Sequence, residues 1–168
     1  MAGMLSTKLK LLIVAAPAVL AGCGESAAPD DVVNPPRNEE VAPIVPSGEA
    51  VSGADIATLD PATMVDAEIS KVLGGPPACT FRYTSAGKPV FAMDAIEGPA
   101  TAAMKLNGKM LRLPAAVSED GFRVADPPVR LSVNPEGDPR GGSVEAEMVF
   151  EIGEQLRVGY RGYLHCAR

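Results

Sequence analysis

Between residues 143 and 152 the side chains change character with a period of two. Val144, Ala146, Met148, Phe150 and Ile152 are apolar, while Ser143, Glu145, Glu147 and Glu151 stand between them. That period belongs to a strand with one buried and one wet face. Gly153-Glu154 can turn the chain, and Leu156, Val158 and Tyr160 carry the same parity into a return strand that ends near Cys166. A two-stranded ribbon this long cannot bury its apolar face alone. The rest of the chain must therefore supply further strands, and it does. Residues 78–83 place Cys79, Phe81 and Tyr83 on one face, and 90–95 can return from the Ser85-Ala86-Gly87-Lys88 loop. Asn107-Gly108 is a strong two-residue hairpin signal. A turn there sets Met104 opposite Leu111 and Ala102 opposite Leu113, apolar against apolar. Residues 122–124 and 129–133 add short strands around Asp126-Pro127-Pro128, and 134–142 form a long Gly/Pro loop. The sequence predicts a mainly β domain, a small antiparallel barrel or sandwich.

The N-terminus is built differently. Lys8 and Lys10 precede the apolar run from Leu11 to Leu20, and no acid occurs before Cys23. The run is about half the roughly 20 residues that a spanning helix requires, and Pro17 interrupts it. This is the pattern of a secretory signal. Leu20-Ala21-Gly22-Cys23 resembles the lipobox of bacterial lipoproteins. The resemblance implies cleavage after residue 22, lipid attachment at Cys23, and a membrane anchor of several acyl chains at about 0.8 kcal/mol per buried methylene. Gly24 after the cysteine resembles lipoproteins held at the outer membrane, facing the periplasm. Gly22 to Ala27 also fits G-x-G-x-x-A, but no strand precedes it, so no dinucleotide site is expected. From residue 24 to about 55, prolines 29, 35, 36, 43 and 46 recur among acids and small residues. This composition predicts a disordered tether. The expected organisation is a signal peptide over residues 1–22, a lipidated cysteine and linker over 23–55, and a helix plus β domain over 56–168.

In an oxidising compartment Cys79 and Cys166 form an even pair, and strand parity puts both on core-facing sides. A disulfide between them would make the first and last strands neighbours and favour closure. The helix is expected to begin at Asp60 as N-cap with Pro61 in its first turn and to end at Gly74. Val65, Ile69, Val72 and Leu73 would form its apolar stripe.

No catalytic constellation is legible. His165 is the sole histidine, and a Cys-His nucleophile pair with Cys166 needs a thiolate that the bridge would remove. Glu145, Glu147 and Glu151 alternate as a solvated face does, and the Asp138 loop lacks the acid spacing of a calcium loop. No metal or cofactor is expected, and the chain reads as a non-enzyme, with a small hydrolase around His165 as the weaker alternative. The formal net charge is −6 and falls to about −8 once Lys8 and Lys10 leave with the signal. Such a balance disfavours nucleic acid and suits a basic envelope or host protein. The lipobox, tether and small domain closed by Cys79 and Cys166 resemble membrane-bound inhibitors of C-type lysozyme. In that family a Ser-Gly-x-x-Tyr loop enters the lysozyme cleft. The corresponding stretch here, Ser118-Glu119-Asp120-Gly121-Phe122-Arg123, separates the serine from the glycine and lacks the tyrosine, so no functional residue is carried over. The expectation is a non-catalytic, lipid-anchored envelope protein that binds a partner, with lysozyme inhibition as the alternative.

Overall fold

Eight antiparallel strands follow one another around a closed barrel, each hydrogen-bonded to its neighbour in sequence, with the last returning to the first. The structure is a computed structural model that describes residues 41–118 and 120–167. The signal peptide, Cys23 and the tether up to residue 40 lie outside the described residues. The strands are β1 (Cys79–Arg82), β2 (Phe91–Met93), β3 (Pro99–Leu106), β4 (Lys109–Ser118), β5 (Gly121–Asp126), β6 (Val129–Pro135), β7 (Ser143–Ile152) and β8 (Leu156–Cys166).

Period-two patterning sends one set of side chains inward. Phe81, Phe91, Met93, Met104, Leu111, Leu113, Met148 and Phe150 are fully buried and fill the barrel. A barrel of this strand number has an interior just wide enough for side chains, so it is a packed core and not a channel. The Asn107-Gly108 turn has positive φ at both residues, 49° and 70°. It sets Met104 opposite Leu111 and Ala102 opposite Leu113, in the expected register. β7 pairs with β8 along its whole length, from Ser143↔His165 to Ile152↔Leu156.

Closure falls between β1 and β8. Cys79 lies directly opposite Cys166 in that ladder, their Cα atoms 4.1 Å apart, and the two are joined as a disulfide. Gly162 is needed at the same seam. A Cβ there would collide with the Arg82 carbonyl oxygen and lie 2.6 Å from Phe81 Cζ.

Helix α2 spans Asp66–Leu73 and terminates at Gly74 in the left-handed conformation, φ 81°. Its buried residues Ile69 and Val72, with Met64 and Ala42, cover the outward side chains Ala92, Ala103 and Met110 of β2, β3 and β4. This explains why those strands are apolar on both faces. The helix starts five residues later than its sequence signals suggest. Ala62 N–H donates to Lys105 O (2.9 Å) and Met64 N–H to Pro89 O (2.7 Å), so the backbone from 62 to 64 is committed to extended pairing along the barrel. Asp60 takes the Tyr160 hydroxyl instead of capping a helix. Val65 has no side-chain acceptor, and the first turn is held by Glu68, whose carboxylate accepts the Val65 N–H at 3.0 Å.

Residues 41–55, expected as part of the tether, belong to the same compact unit as the barrel. Two short elements, α1 (Ser47–Val51) and a 3-10 turn (Ile56–Thr58), pack here. The cause lies in β4. Its pairing with β5 begins only at Ala115, so Met110 has no β5 partner for its backbone groups. Residues 43 to 45 supply the partners: Met110 N–H donates to Pro43 O (2.8 Å) and Val45 N–H to Met110 O (2.9 Å). Satisfying an otherwise open strand edge offsets the cost of ordering the segment. Asn107 Nδ2 donates to Ala50 O (3.2 Å), and Ser47 Oγ donates to Asp126 Oδ2 (2.5 Å), which fixes the segment across the end of the barrel. Pro43 and Pro46 do not obstruct this, because neither position uses an N–H.

Candidate functional site

With α2 and the N-terminal segment on β2–β4, the outward faces of β5–β8 are left to solvent. The charged residues on the last strands gather next to the seam. A cleft of about 310 Å³ is lined by Tyr83, Glu136, Glu145, Ala146, Arg161, Gly162 and Tyr163. Four separate segments build it. Tyr83 follows β1, Glu136 follows β6, Glu145 and Ala146 lie on β7, and Arg161 to Tyr163 lie on β8. Register explains the assembly. Glu145 pairs with Tyr163, Ala146 with Gly162 and Glu147 with Arg161. The Glu136 N–H donates to Glu145 O at 2.7 Å, which brings both glutamates to the same rim.

All three tyrosines of the chain lie along this seam. The rings of Tyr83 and Tyr160 pack with centroids 5.3 Å apart, and Phe81 meets Tyr83 edge-on at 6.2 Å. Tyr83 donates its hydroxyl to Pro61 O (3.0 Å), so its ring is fixed where it borders the cleft. Burial, and after it the charge of Asp60, pushes the Tyr83 phenol up to about 12. The Tyr160 phenol is also raised, by burial first and then by its hydrogen bond to Asp60. Both therefore stay neutral donors through the physiological range.

The charges in the cleft take no part in the ion pairs among the described residues. Among the described residues, ion pairs within 4.0 Å join Lys105 to Glu68, Lys109 to Glu49, Arg140 to Glu97 and Arg157 to Glu151. None of these includes Glu136, Glu145 or Arg161, although all three line one cleft. Glu147, opposite Arg161, leans toward Gly159, with its Oε1 3.3 Å from where a Cβ would stand. Arg82, opposite Tyr163, has a buried Nε with no hydrogen-bond partner among the described residues.

The residues singled out from sequence fall elsewhere. Cys79 and Cys166 sit at the end of the barrel away from α1. There the 134–142 loop crosses over, with Gly141 N–H donating to Cys166 O and Cys166 N–H to Pro139 O, both at 3.0 Å. His165 is exposed on the outer face beside this loop, its Nδ1 2.9 Å from Gly142 O. Glu151 is held by Arg157 at 2.5 Å. Of the stretch from 118 to 123, Ser118 donates its hydroxyl to Gly121 O (3.0 Å) and Phe122 points into the core. Gly121 has φ +134° and sits against Val133 O, where no side chain fits. The turn therefore exposes Ser118 and Asp120, and Phe122 takes no part in its surface. A second hollow of about 270 Å³ lies behind that turn, between Ile96, Val117 and the 137–140 loop. Among the described residues no three His, Cys, Asp or Glu side chains converge as a metal site would need. The seam cleft was not legible from sequence. The available signal was parity, which turns both Glu145 and Tyr163 outward on paired strands.

Fold and site together define a closed, eight-stranded up-and-down barrel with a disulfide-joined seam and a polar, tyrosine-lined cleft beside it. The chain belongs to the family described as a domain of unknown function (DUF6692), whose model matches residues 19–168. No curated protein and no solved structure matches it.

Proposed function

We propose that this chain is a non-catalytic, lipid-anchored protein of the cell envelope, joined to the membrane through Cys23, whose barrel presents the seam cleft to a ligand. The observation that carries the anchor is Leu20-Ala21-Gly22-Cys23 placed directly after a ten-residue apolar run. The family match begins at residue 19 and so takes in this motif. A disulfide between the two remaining cysteines supports an oxidising compartment. Outer-membrane attachment facing the periplasm is the placement Gly24 favours.

The test is metabolic labelling with palmitate. The parent chain should incorporate label and partition into detergent, whereas Cys23→Ser should do neither. Label on the serine variant would refute lipid attachment at Cys23.

A second reading, inhibition of C-type lysozyme, is favoured by the barrel closed through Cys79 and Cys166 and by the turn at one end that exposes Ser118 and Asp120. It requires the purified chain to slow lysozyme turnover at micromolar concentration. Unchanged turnover across several C-type lysozymes removes it.

A further inference from the structure

The three charges of the seam cleft, which form no ion pair among the described residues, have a specific composition. Two carboxylates, Glu136 and Glu145, share one rim, and one guanidinium, Arg161, is next to them. Tyr83 and Tyr163 complete the wall. A purely anionic ligand would meet both carboxylates, and a purely cationic one would leave the guanidinium unsatisfied. Guanidinium forks match carboxylates in a bidentate manner. Ammonium groups are held by carboxylates and by the faces of tyrosine rings. The volume, about 310 Å³, is at the lower end of the range for small-ligand sites.

In the closed ring of eight strands the cleft on the β7–β8–β1 side lies across from β4, where residues 43–45 pair with Met110.

We propose that the seam cleft binds a zwitterionic peptide group, its ammonium between Glu136, Glu145 and the tyrosine rings and its carboxylate on Arg161. This deepens the binding role proposed above. The shared chemistry occurs in free peptides and in the peptide stems of cell-wall glycan, and the two sources can be separated by experiment.

The chain contains no tryptophan, so its intrinsic fluorescence comes from the three tyrosines, two of which line the cleft. Titration of the full chain with alanyl-alanine should change that fluorescence saturably at or below about 1 mM. N-acetyl-alanyl-alanine and alanyl-alanine amide, each lacking one charge, should bind about tenfold more weakly or worse, a difference of about 1.4 kcal/mol. Glu145→Gln and Arg161→Gln alter exposed side chains and should each weaken the dipeptide about tenfold, while Glu154→Gln, in the β7–β8 turn, should not. A disaccharide-peptide fragment of cell-wall glycan that binds more tightly than the dipeptide assigns the stem as the source. Equal affinity assigns free peptide, and both results support the zwitterion site. No saturable change with either probe, equal binding of the blocked dipeptides, or an Arg161→Gln variant that binds as the parent does would overturn it. Palmitate labelling is independent of this titration, so failure of the anchor and failure of the cleft are distinguishable.

Discussion

Reducing the Cys79–Cys166 bond removes a cross-link that spans 87 residues of sequence. In the chain-entropy description, a loop of about 88 residues restrains the unfolded chain by about 15 cal/mol/K, or about 4.6 kcal/mol at room temperature. For a folding unit of roughly 125 residues, an unfolding entropy near 2.1 cal/mol/K per residue gives about 0.26 kcal/mol/K. The loss then lowers Tm by about 17 °C. The ladder should hold the native seam without the bond, because β1 pairs with β8 from Cys79 to Arg82 and Phe81 and Leu164 are buried beside it. The assay is thermal and urea unfolding, followed by circular dichroism, of oxidised chain and of chain refolded in a phosphine reductant. The Cys79→Ala/Cys166→Ala pair should fall at least as far, since both cysteines are buried and truncation adds a packing loss. Slope separates the causes. If the cross-link acts on the unfolded chain, reduction should raise the urea m-value, because the released chain exposes more surface. A Tm change below about 5 °C with an unchanged m-value would refute the entropic account.

Two further perturbations test the packing. Gly162→Ala should cost about 2 kcal/mol or more by urea unfolding, because its Cβ meets the Arg82 carbonyl and Phe81. Gly159→Ala, on the outer face of the same strand, should stay within about 0.5 kcal/mol, and equal effects at the two sites would refute the seam argument. Glu68, only 3% exposed, is paired with Lys105 at 2.6 Å. Burial alone raises its carboxyl, but the Lys105 hydrogen bond and charge and the backbone N–H groups of Val65 and Ala42 outweigh it, and the pKa falls below 4.5. A depressed folded-state pKa stabilises the protein above the unfolded value, and that contribution is lost as pH falls from about 4.5 through the folded pKa. Lys105→Met should cost about 1–3 kcal/mol at neutral pH and flatten the acid limb of stability against pH, and an unaltered acid limb would refute the pairing.

What the sequence made legible was whatever depended on near neighbours. The alternation of β7 and β8, the Asn107-Gly108 turn and the parity of Cys79 and Cys166 each follow from period two and a turn rule, and each appears in register. The start of α2 was not local. Asp60 and Pro61 are sound N-terminal signals, but Ala62 and Met64 gain hydrogen bonds to Lys105 and Pro89 that only the assembled barrel offers. Residues 41–55 failed as a tether for the same reason. Seven of their fifteen side chains are apolar, yet the prolines read as linker, and what pairs with them is the backbone of Met110, more than fifty residues away.

The same asymmetry decides which outward faces of the barrel are covered. β2, β3 and β4 present Ala92, Ala103 and Met110 outward, so burying them under α2 and Ala42 withdraws that half of the barrel from contact with a partner. Arg112 of β4 is also taken up there, by the Val72 carbonyl near the end of α2. On the other half, Glu151 and Arg157 satisfy each other. Glu136, Glu145 and Arg161 form no ion pair among the described residues, and they line the cleft beside the β1–β8 seam. Gly162 and its partner Ala146 are buried on the inward parity of β8 and β7, with Phe81 against Gly162, while Glu145, Arg161 and Tyr163 stand on the outward parity. A bulky residue at position 162 would meet Phe81 and the Arg82 carbonyl and so conflict with closure of the β1–β8 seam. Closure of the barrel therefore depends on Gly162, and the composition of the cleft depends on the outward residues that flank it.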